Sequence, residues 1–226
     1  MKKILLSALF ITFAAVSFGC GGKKVESSVP ESSQTETVTE TEPVTEIQTY
    51  EPLVDVRERN IIESEELDYE LFDGKAIITK YNGNEANVVI PSEIEGYPVN
   101  EIGFYCFEAN YNLESVILPE SVTIIGEGAF MDCASLSQIN IPAGLQEIQR
   151  GAFVGCAGLT EMTLPETVSR VYEEAFTGCQ GMTSLTILNP DLAYENWGLE
   201  DLINLTVYAP SGSAAEAWVS EMGKLG

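Results

Sequence analysis

The sequence predicts a solenoid: a mostly-β stack of 23-residue coils with short helical turns, closed by an atypical cap at each end. Three observations predict it. Phe107, Phe130, Phe153 and Phe176 recur at a constant step of 23 residues. Ile102, Ile125, Ile148 and Val171 keep that step, as do Leu113, Leu136, Leu159 and Met182, and Asn110, Cys133, Cys156 and Cys179. Pro119, Pro142 and Pro165 hold a further column, with Leu188 in the fourth unit. Columns that keep one phase over four copies signal a repeat architecture. No single coil can bury its apolar face, so each must stack on its neighbours.

Within one coil, Ile139 and Ile141 alternate with polar residues, which gives a short strand with one face buried. Pro142 ends that strand, because it has no amide hydrogen for a ladder. Leu145 and Ile148 then form a second extended segment along the inner wall. Gly151-Ala152-Phe153 turns the chain, and Phe153, Cys156 and Leu159 fill the interior at a spacing of three.

The run Ile125-Gly126-Glu127-Gly128-Ala129-Phe130-Met131-Asp132-Cys133 through Pro142 resembles the BspA-like class of bacterial leucine-rich repeats. Tyr81-Asn82-Gly83 through Val88-Val89-Ile90-Pro91, with Gly96-Tyr97-Pro98-Val99, resembles the opening of such arrays. Leu205-Thr206-Val207-Tyr208 followed by Gly212-Ser213-Ala214-Ala215-Glu216-Ala217 resembles their close. The resemblance spans residues 65–226. It implies a leucine-rich-repeat solenoid, extracellular display, and binding to a protein or surface ligand whose identity it leaves open.

The ends read as caps. Lys75 to Lys80 and Val88 to Ile90 are β-rich runs, expected to join around Asn82-Gly83 as a hairpin-like cap. Ser213 is expected to cap a helix from Ala214 to Met222, with Gly223 as its stop and Trp218 and Val219 facing the last coil. From Asn189 to Asp201 the repeat signature is lost after Leu185 and Ile187, which predicts a degenerate last coil. The layout is therefore a signal peptide at 1–19, a lipidated Cys and tether at 20–60, and the N-terminal cap with the opening coil at 61–101. The repeats occupy 102–188, and the degenerate last coil with the capping helix occupies 189–226.

Lys2 and Lys3 precede an apolar run from Ile4 to Phe18, too short to span a bilayer and followed by small residues and a Cys, as in an export signal. Ser17-Phe18-Gly19-Cys20 resembles the lipobox of bacterial lipoproteins, which implies acylation of Cys20 and anchoring at the cell envelope or surface. Ser17 departs from that pattern, where an aliphatic residue is preferred. The same triplet suits ordinary signal peptidase, which would secrete the protein with Cys20 free. Residues 21–60 are rich in Ser, Thr, Glu and Pro, with no aromatic before Tyr50. Such composition cannot offset its conformational entropy by burial, so a disordered stalk is expected, with an r.m.s. reach of about 35 Å.

The formal charge is −24. Cleavage would remove two of the eleven basic residues and leave nine against 35 acidic ones, or −26. That balance argues against nucleic acid and against an anionic membrane surface, leaving the N-terminal lipid as the expected membrane contact. The chain has no His, which removes the usual general base and the commonest neutral metal ligand. Cys106, Cys133, Cys156 and Cys179 fall in register or in the Ala129, Ala152, Ala175 column. They read as structural core thiols in preference to a disulfide, a nucleophile or a metal site. Asp68-Tyr69-Glu70 and Asp73-Gly74 do not reproduce a calcium loop, and Glu173-Glu174 reads as a solvated edge. No catalysis, cofactor or metal is expected.

Binding is the remaining function, and two surfaces are candidates. The strand positions place Ser115, Gln138, Glu161 and Ser184 in one outward row, and Ile117, Asn140, Thr163 and Thr186 in another. Phe104, Tyr105 and Tyr111 stand where other coils have Glu127, Gly128 and Ala134, and form either an aromatic anchor or a contact with the N-terminal cap. The resulting reading is a monomeric, cell-surface adhesion or protein-binding module on a flexible stalk, with a structural or scaffolding component of the bacterial envelope as the alternative. A solute-binding lipoprotein needs a longer, two-lobed α/β chain, which the repeat excludes.

Charges at equal register are vertical neighbours. Glu127, Arg150 and Glu173 are expected to form an acid–base–acid column and Glu147 to sit beside Arg170, each exposed pair contributing at most about 1 kcal/mol. Arg150→Glu should lower the melting temperature by about 2–4 °C in a thermal scan; an unchanged midpoint would contradict a charge ladder there.

Overall fold

Two left-handed residues in every coil bend the chain back on itself. In a computed structural model that describes residues 60–226, Tyr105, Gly128, Gly151 and Glu174 share positive φ values of 50°, 59°, 59° and 61°. Ala109, Asp132, Gly155 and Gly178 form the second such column, at 55°, 58°, 73° and 78°. Glycine takes this conformation without a Cβ clash, whereas each other residue type costs on the order of 1 kcal/mol or more. Coil stacking must offset that cost at Tyr105, Ala109, Asp132 and Glu174.

The stacking is visible in the main chain beside these turns. Tyr81 N–H donates to the Cys106 carbonyl at 2.9 Å, Phe107 to Ala129 at 2.8 Å, and Phe130 to Ala152 at 2.8 Å. Phe153 donates to Ala175 at 2.9 Å and Phe176 to Trp197 at 2.8 Å. The side chains follow the same column. The rings of Tyr81, Phe107, Phe130, Phe153 and Phe176 stack with successive centroids 4.9, 5.1, 5.5 and 5.8 Å apart. That spacing is close to the interval between hydrogen-bonded strands, so each ring sits on its neighbour for the same reason each amide does. Tyr81 carries the column into the N-terminal cap.

Each coil contributes one strand to the inner wall and one to the opposite face. The inner sheet runs in the order β1 (Ile61–Ile62), β2 (Leu67–Phe72), β3 (Lys75–Tyr81), β6 (Tyr97–Ile102), β8 (Ile124–Ile125), β10 (Glu147–Ile148), β12 (Arg170–Val171), with β5 (Glu93–Ile94) beside β6. From β3 onward it is parallel: Glu101 lies opposite Ile124, Ile124 opposite Glu147, and Glu147 opposite Arg170. The outer strands form two three-stranded parallel sheets, β4 (Asn87–Val89) with β7 (Ser115–Ile117) and β9 (Gln138–Ile139), and β11 (Glu161–Leu164) with β13 (Ser184–Ile187) and β14 (Thr206–Tyr208). Between the walls lies one continuous core of the repeating Ile, Leu, Phe, Ala and Cys columns.

The N-terminal cap differs from expectation. Its hairpin is β2–β3, antiparallel around Asp73-Gly74, both left-handed as a two-residue turn of this kind requires. Val88 to Ile90 does not pair with Lys75 to Lys80: β4 opens the outer sheet, while β3 joins the inner one. Both Asx-Gly pairs are turn formers, but only at Asp73-Gly74 do the two flanking strands pair with each other. At the other end the helix α1 covers Ala214–Met222. Ser213 Oγ accepts from Glu216 N–H at 2.9 Å, and Gly223 closes the helix at φ 73°. Val219 is buried, and Trp218 Nε1 donates to the Leu192 carbonyl at 3.2 Å.

The last coil keeps more of the pattern than its sequence suggests. Leu199, Leu202 and Leu205 stand 23 residues after Phe176, Cys179 and Met182, and all three are buried. Trp197, one residue short of the step, accepts the turn-ladder bond that alanines accept in earlier coils and meets Tyr194 and Trp218 at 5.5 and 5.2 Å. On the side of the following coil the expected charge columns find other acids. Arg150 Nη2 pairs with Glu174 at 3.1 Å, not with Glu173, and Glu174 is the left-handed residue of the turn. Arg170 lies opposite Glu147 in register, but its ion pair is with Glu195 at 3.5 Å, and its guanidinium covers the Tyr172 ring at 4.3 Å. The signal peptide, Cys20 and the tether lie outside the described residues.

Phe153 is fully buried between two other rings, so Phe153→Ala should cost about 3–5 kcal/mol. Urea denaturation would show it, and a loss below about 1 kcal/mol would mean the column does not carry the stack.

Candidate functional site

The outer strands set the geometry of the candidate binding face. Parallel pairing places Ser115 opposite Gln138, and Glu161 opposite Ser184, so the first row falls into two registered halves, one on each three-stranded sheet. Asn87 and Thr206 extend it at the two ends. In the second row Thr163 lies opposite Thr186, with Val89 opposite Ile117 before them and Tyr208 opposite Thr186 after them. Alternation does this: Val116, Met162 and Leu185 point into the core from the same strands.

The rows are not uniform. Val89 is 68 % exposed and Ile117 53 %, an apolar pair at the N-terminal end that Tyr208 partly mirrors at the far end. Ser115 Oγ donates to Asn87 Oδ1 at 2.6 Å. Asn140 behaves differently from its row. Its side-chain Oδ1 accepts from Leu118 N–H at 2.6 Å and its Nδ2 donates to the Leu118 carbonyl at 2.9 Å. The amide stands in for main chain, holding its coil to the one before, and is committed to that role. Two hollows of about 460 and 540 Å³ lie along the rows and share Ile139 and Glu161.

The aromatic candidates separate. Tyr105 lies against the next coil, because a Cβ added at Gly128 would meet its ring at 2.4 Å, and its hydroxyl donates to Glu127 Oε1 at 3.4 Å. That glycine is therefore required both for its left-handed backbone and for the space. Phe104 is half-buried beside it. Tyr111 is 63 % exposed and makes no ring contact with either among the described residues, so the three do not form one cluster.

The thiols are core groups. Cys133 Sγ donates to the Phe107 carbonyl at 3.1 Å, Cys156 to Phe130 at 3.0 Å and Cys179 to Phe153 at 3.1 Å. All four described cysteines are free and buried. Burial pushes the Cys133 and Cys179 thiols up to about 12, and those of Cys106 and Cys156 higher still. Among the described residues no group of three or more His, Cys, Asp or Glu side chains is placed to hold a metal ion.

A family model described as the BspA type leucine-rich repeat region matches residues 99–198 in six copies. A crystal structure of a Treponema pallidum leucine-rich-repeat protein is similar at 30 % identity and a TM-score of 0.54, covering 66 % of this chain and 81 % of that one. The chain belongs to the BspA-type leucine-rich-repeat family. A leucine-rich cell surface protein from Faecalibacterium prausnitzii is 32 % identical with a TM-score of 0.60, over 68 % of this chain and 44 % of its own. The pneumococcal vaccine antigen PcpA is 25 % identical with a TM-score of 0.54, over 67 % of this chain and 37 % of its own. No curated protein sequence matches. Of these similar proteins, the Faecalibacterium prausnitzii one is named as a cell surface protein. No described helix is long and apolar enough to cross a membrane.

Thiols held protonated by burial have a folded pKa above the unfolded value of about 8.5. Their contribution to stability is complete below that value and is lost as pH rises towards about 12, on the order of 1.4 kcal/mol per pH unit per thiol. Unfolding midpoints should therefore fall steadily above pH 8.5. At pH 8 iodoacetamide should leave Cys106, Cys133, Cys156 and Cys179 unmodified until denaturant is added; rapid labelling of the native protein would contradict burial.

Proposed function

We propose that this chain is a cell-surface adhesion or protein-binding module, held to the bacterial envelope through lipid on Cys20 and presenting its outer strands to a protein or surface ligand. The observation that carries the reading is the outward rows of the two three-stranded outer sheets, each in register within its own sheet. Short polar side chains in fixed register make a flat face that a partner can approach closely, with Ile117 and Val89 as apolar anchors at one end. The kinship with a named cell surface protein and a vaccine antigen supports display outside the cell. The tether at 20–60 would let the head search a surface while anchored, as a single folded unit on a chain of roughly 130 Å maximum reach. Phe104, Tyr105 and Tyr111 are a secondary contact region on this reading.

Retention of the chain on immobilised host matrix, compared with retention on the cell's own envelope fraction, tests it. Adhesion predicts capture by matrix, and capture by envelope alone would favour the scaffold. In both cases Gln138→Arg with Ser184→Arg should abolish capture while leaving the circular dichroism unchanged. Equal capture of the double variant would remove the outer strands as the contact face.

A further inference from the structure

The outer face is interrupted once. No ladder bond joins β9 to β11 among the described residues, although the same two coils remain bonded on either side. Before the gap Asp132 N–H donates to the Val154 carbonyl at 2.7 Å, and after it Ser169 N–H donates to Gln146 at 2.9 Å. The opening is thus confined to residues 137–141 opposite 160–164. One coil further along, Thr183 N–H donates to the Thr160 carbonyl at 2.8 Å; one coil earlier, Ser137 N–H donates to Glu114 at 2.9 Å. The equivalent bond from Thr160 to Ser137 is missing. At this point Asn140 joins its side chain, not its carbonyl, to Leu118, and β9 ends at Ile139.

The gap has a chemical character. Ile139 and Ile141 are only partly buried, whereas Val116, Met162 and Leu185 in one column, and Leu118, Leu164 and Ile187 in the other, are buried. Both hollows of the face meet at Ile139 and Glu161. The Glu161 carboxylate has no hydrogen bond or ion pair among the described residues. No cation stands on the outer strands: Lys75 and Lys80 are in the cap hairpin, Arg150 and Arg170 in the inner wall and turn, and Lys224 bonds the Leu202 carbonyl at the far end.

Resting on the reading of the outer strands as a binding face, we propose that this opening seats an extended cationic–apolar segment of a partner protein. An aliphatic side chain of the partner enters beside Ile139 and Ile141, and a flanking Lys or Arg pairs with Glu161. Main-chain groups along 137–141 and 160–164 that take no ladder bond to each other would supply hydrogen bonds to the segment where it crosses the face. The net charge of −24 favours the approach of a basic segment and rejects an acidic one.

The probe is a capped, fluorescent eight-residue peptide alternating lysine and valine, titrated into the full chain by anisotropy. Saturable 1:1 binding is expected. Glu161→Lys should weaken it about tenfold, and Glu221→Lys, the same charge change on the exposed side of the capping helix, less than about twofold. A peptide with serine in place of valine should bind at least about fivefold more weakly. Absence of binding, equal loss in the two lysine variants, or equal affinity of the serine peptide each overturns the proposal. Glu161 is exposed, and circular dichroism checks that its variant is folded. If the peptide fails while Gln138→Arg with Ser184→Arg still abolishes surface capture, the opening is not the site and the binding face stands. If neither has an effect, both readings fall.

Discussion

Along the turns, the amides of Phe107, Phe130 and Phe153 reach the carbonyls of Ala129, Ala152 and Ala175 at 2.8, 2.8 and 2.9 Å, and Tyr81 and Phe176 carry the same bond into the caps. This ladder fixes coil spacing, and most of the structure depends on that spacing. Rings stack at about the interval it sets, thiols donate to the phenylalanine carbonyl of the preceding coil, and left-handed residues repeat at one height. The alanines are part of the device. A larger side chain in that column would need room that only Cys106 and, under the capping helix, Trp197 find. The ladder is also unbroken where the outer sheet is not, so the face can open between β9 and β11 without the stack coming apart.

A solenoid so built separates the residues that hold the stack from those that face outward. The core columns and the turn ladder hold the coils, and the outward rows contribute little to either. Ser115, Gln138, Glu161, Thr163, Ser184 and Thr186 can therefore be substituted while the fold is kept. Ile117 belongs with them by register, and Asn140 does not, since its amide closes the ladder to Leu118. The descending charges serve the inner wall: Arg150 and Arg170 each meet an acid from the following coil, which leaves the outer strands without a cation.

The repeating part of this molecule is legible in sequence because one residue per column carries one role. The Phe, Cys and Leu registers predict the core, and Ser213 with Gly223 predicts both ends of the helix. What escaped the period was what breaks it. Tyr81 joins the ring column 26 residues before Phe107, outside the 23-residue step. Asp73-Gly74 and Asn82-Gly83 are equivalent turn signals locally, and only the pairing of β2 with β3 chooses between them. Leu199, Leu202 and Leu205 keep the register with residues that carry no Phe or Cys mark. The gap beside Asn140 had no signal of its own, because an asparagine on a strand reads as a solvated position until its amide is seen bonding the neighbouring coil.

Native-state hydrogen exchange, read residue by residue, tests the primacy of the turn ladder most directly. The amides of Phe107, Phe130, Phe153 and Phe176 should exchange slowest, at the rate of global unfolding. Thr183 and Ser184, which donate to Thr160 at 2.8 and 3.3 Å, should be protected, while Thr160 and Glu161, their counterparts across the gap, should exchange much faster. A Phe153 amide that exchanges as fast as that of Thr160, or a Thr160 amide as protected as that of Thr183, would contradict a stack held by its turns and open on its outer face.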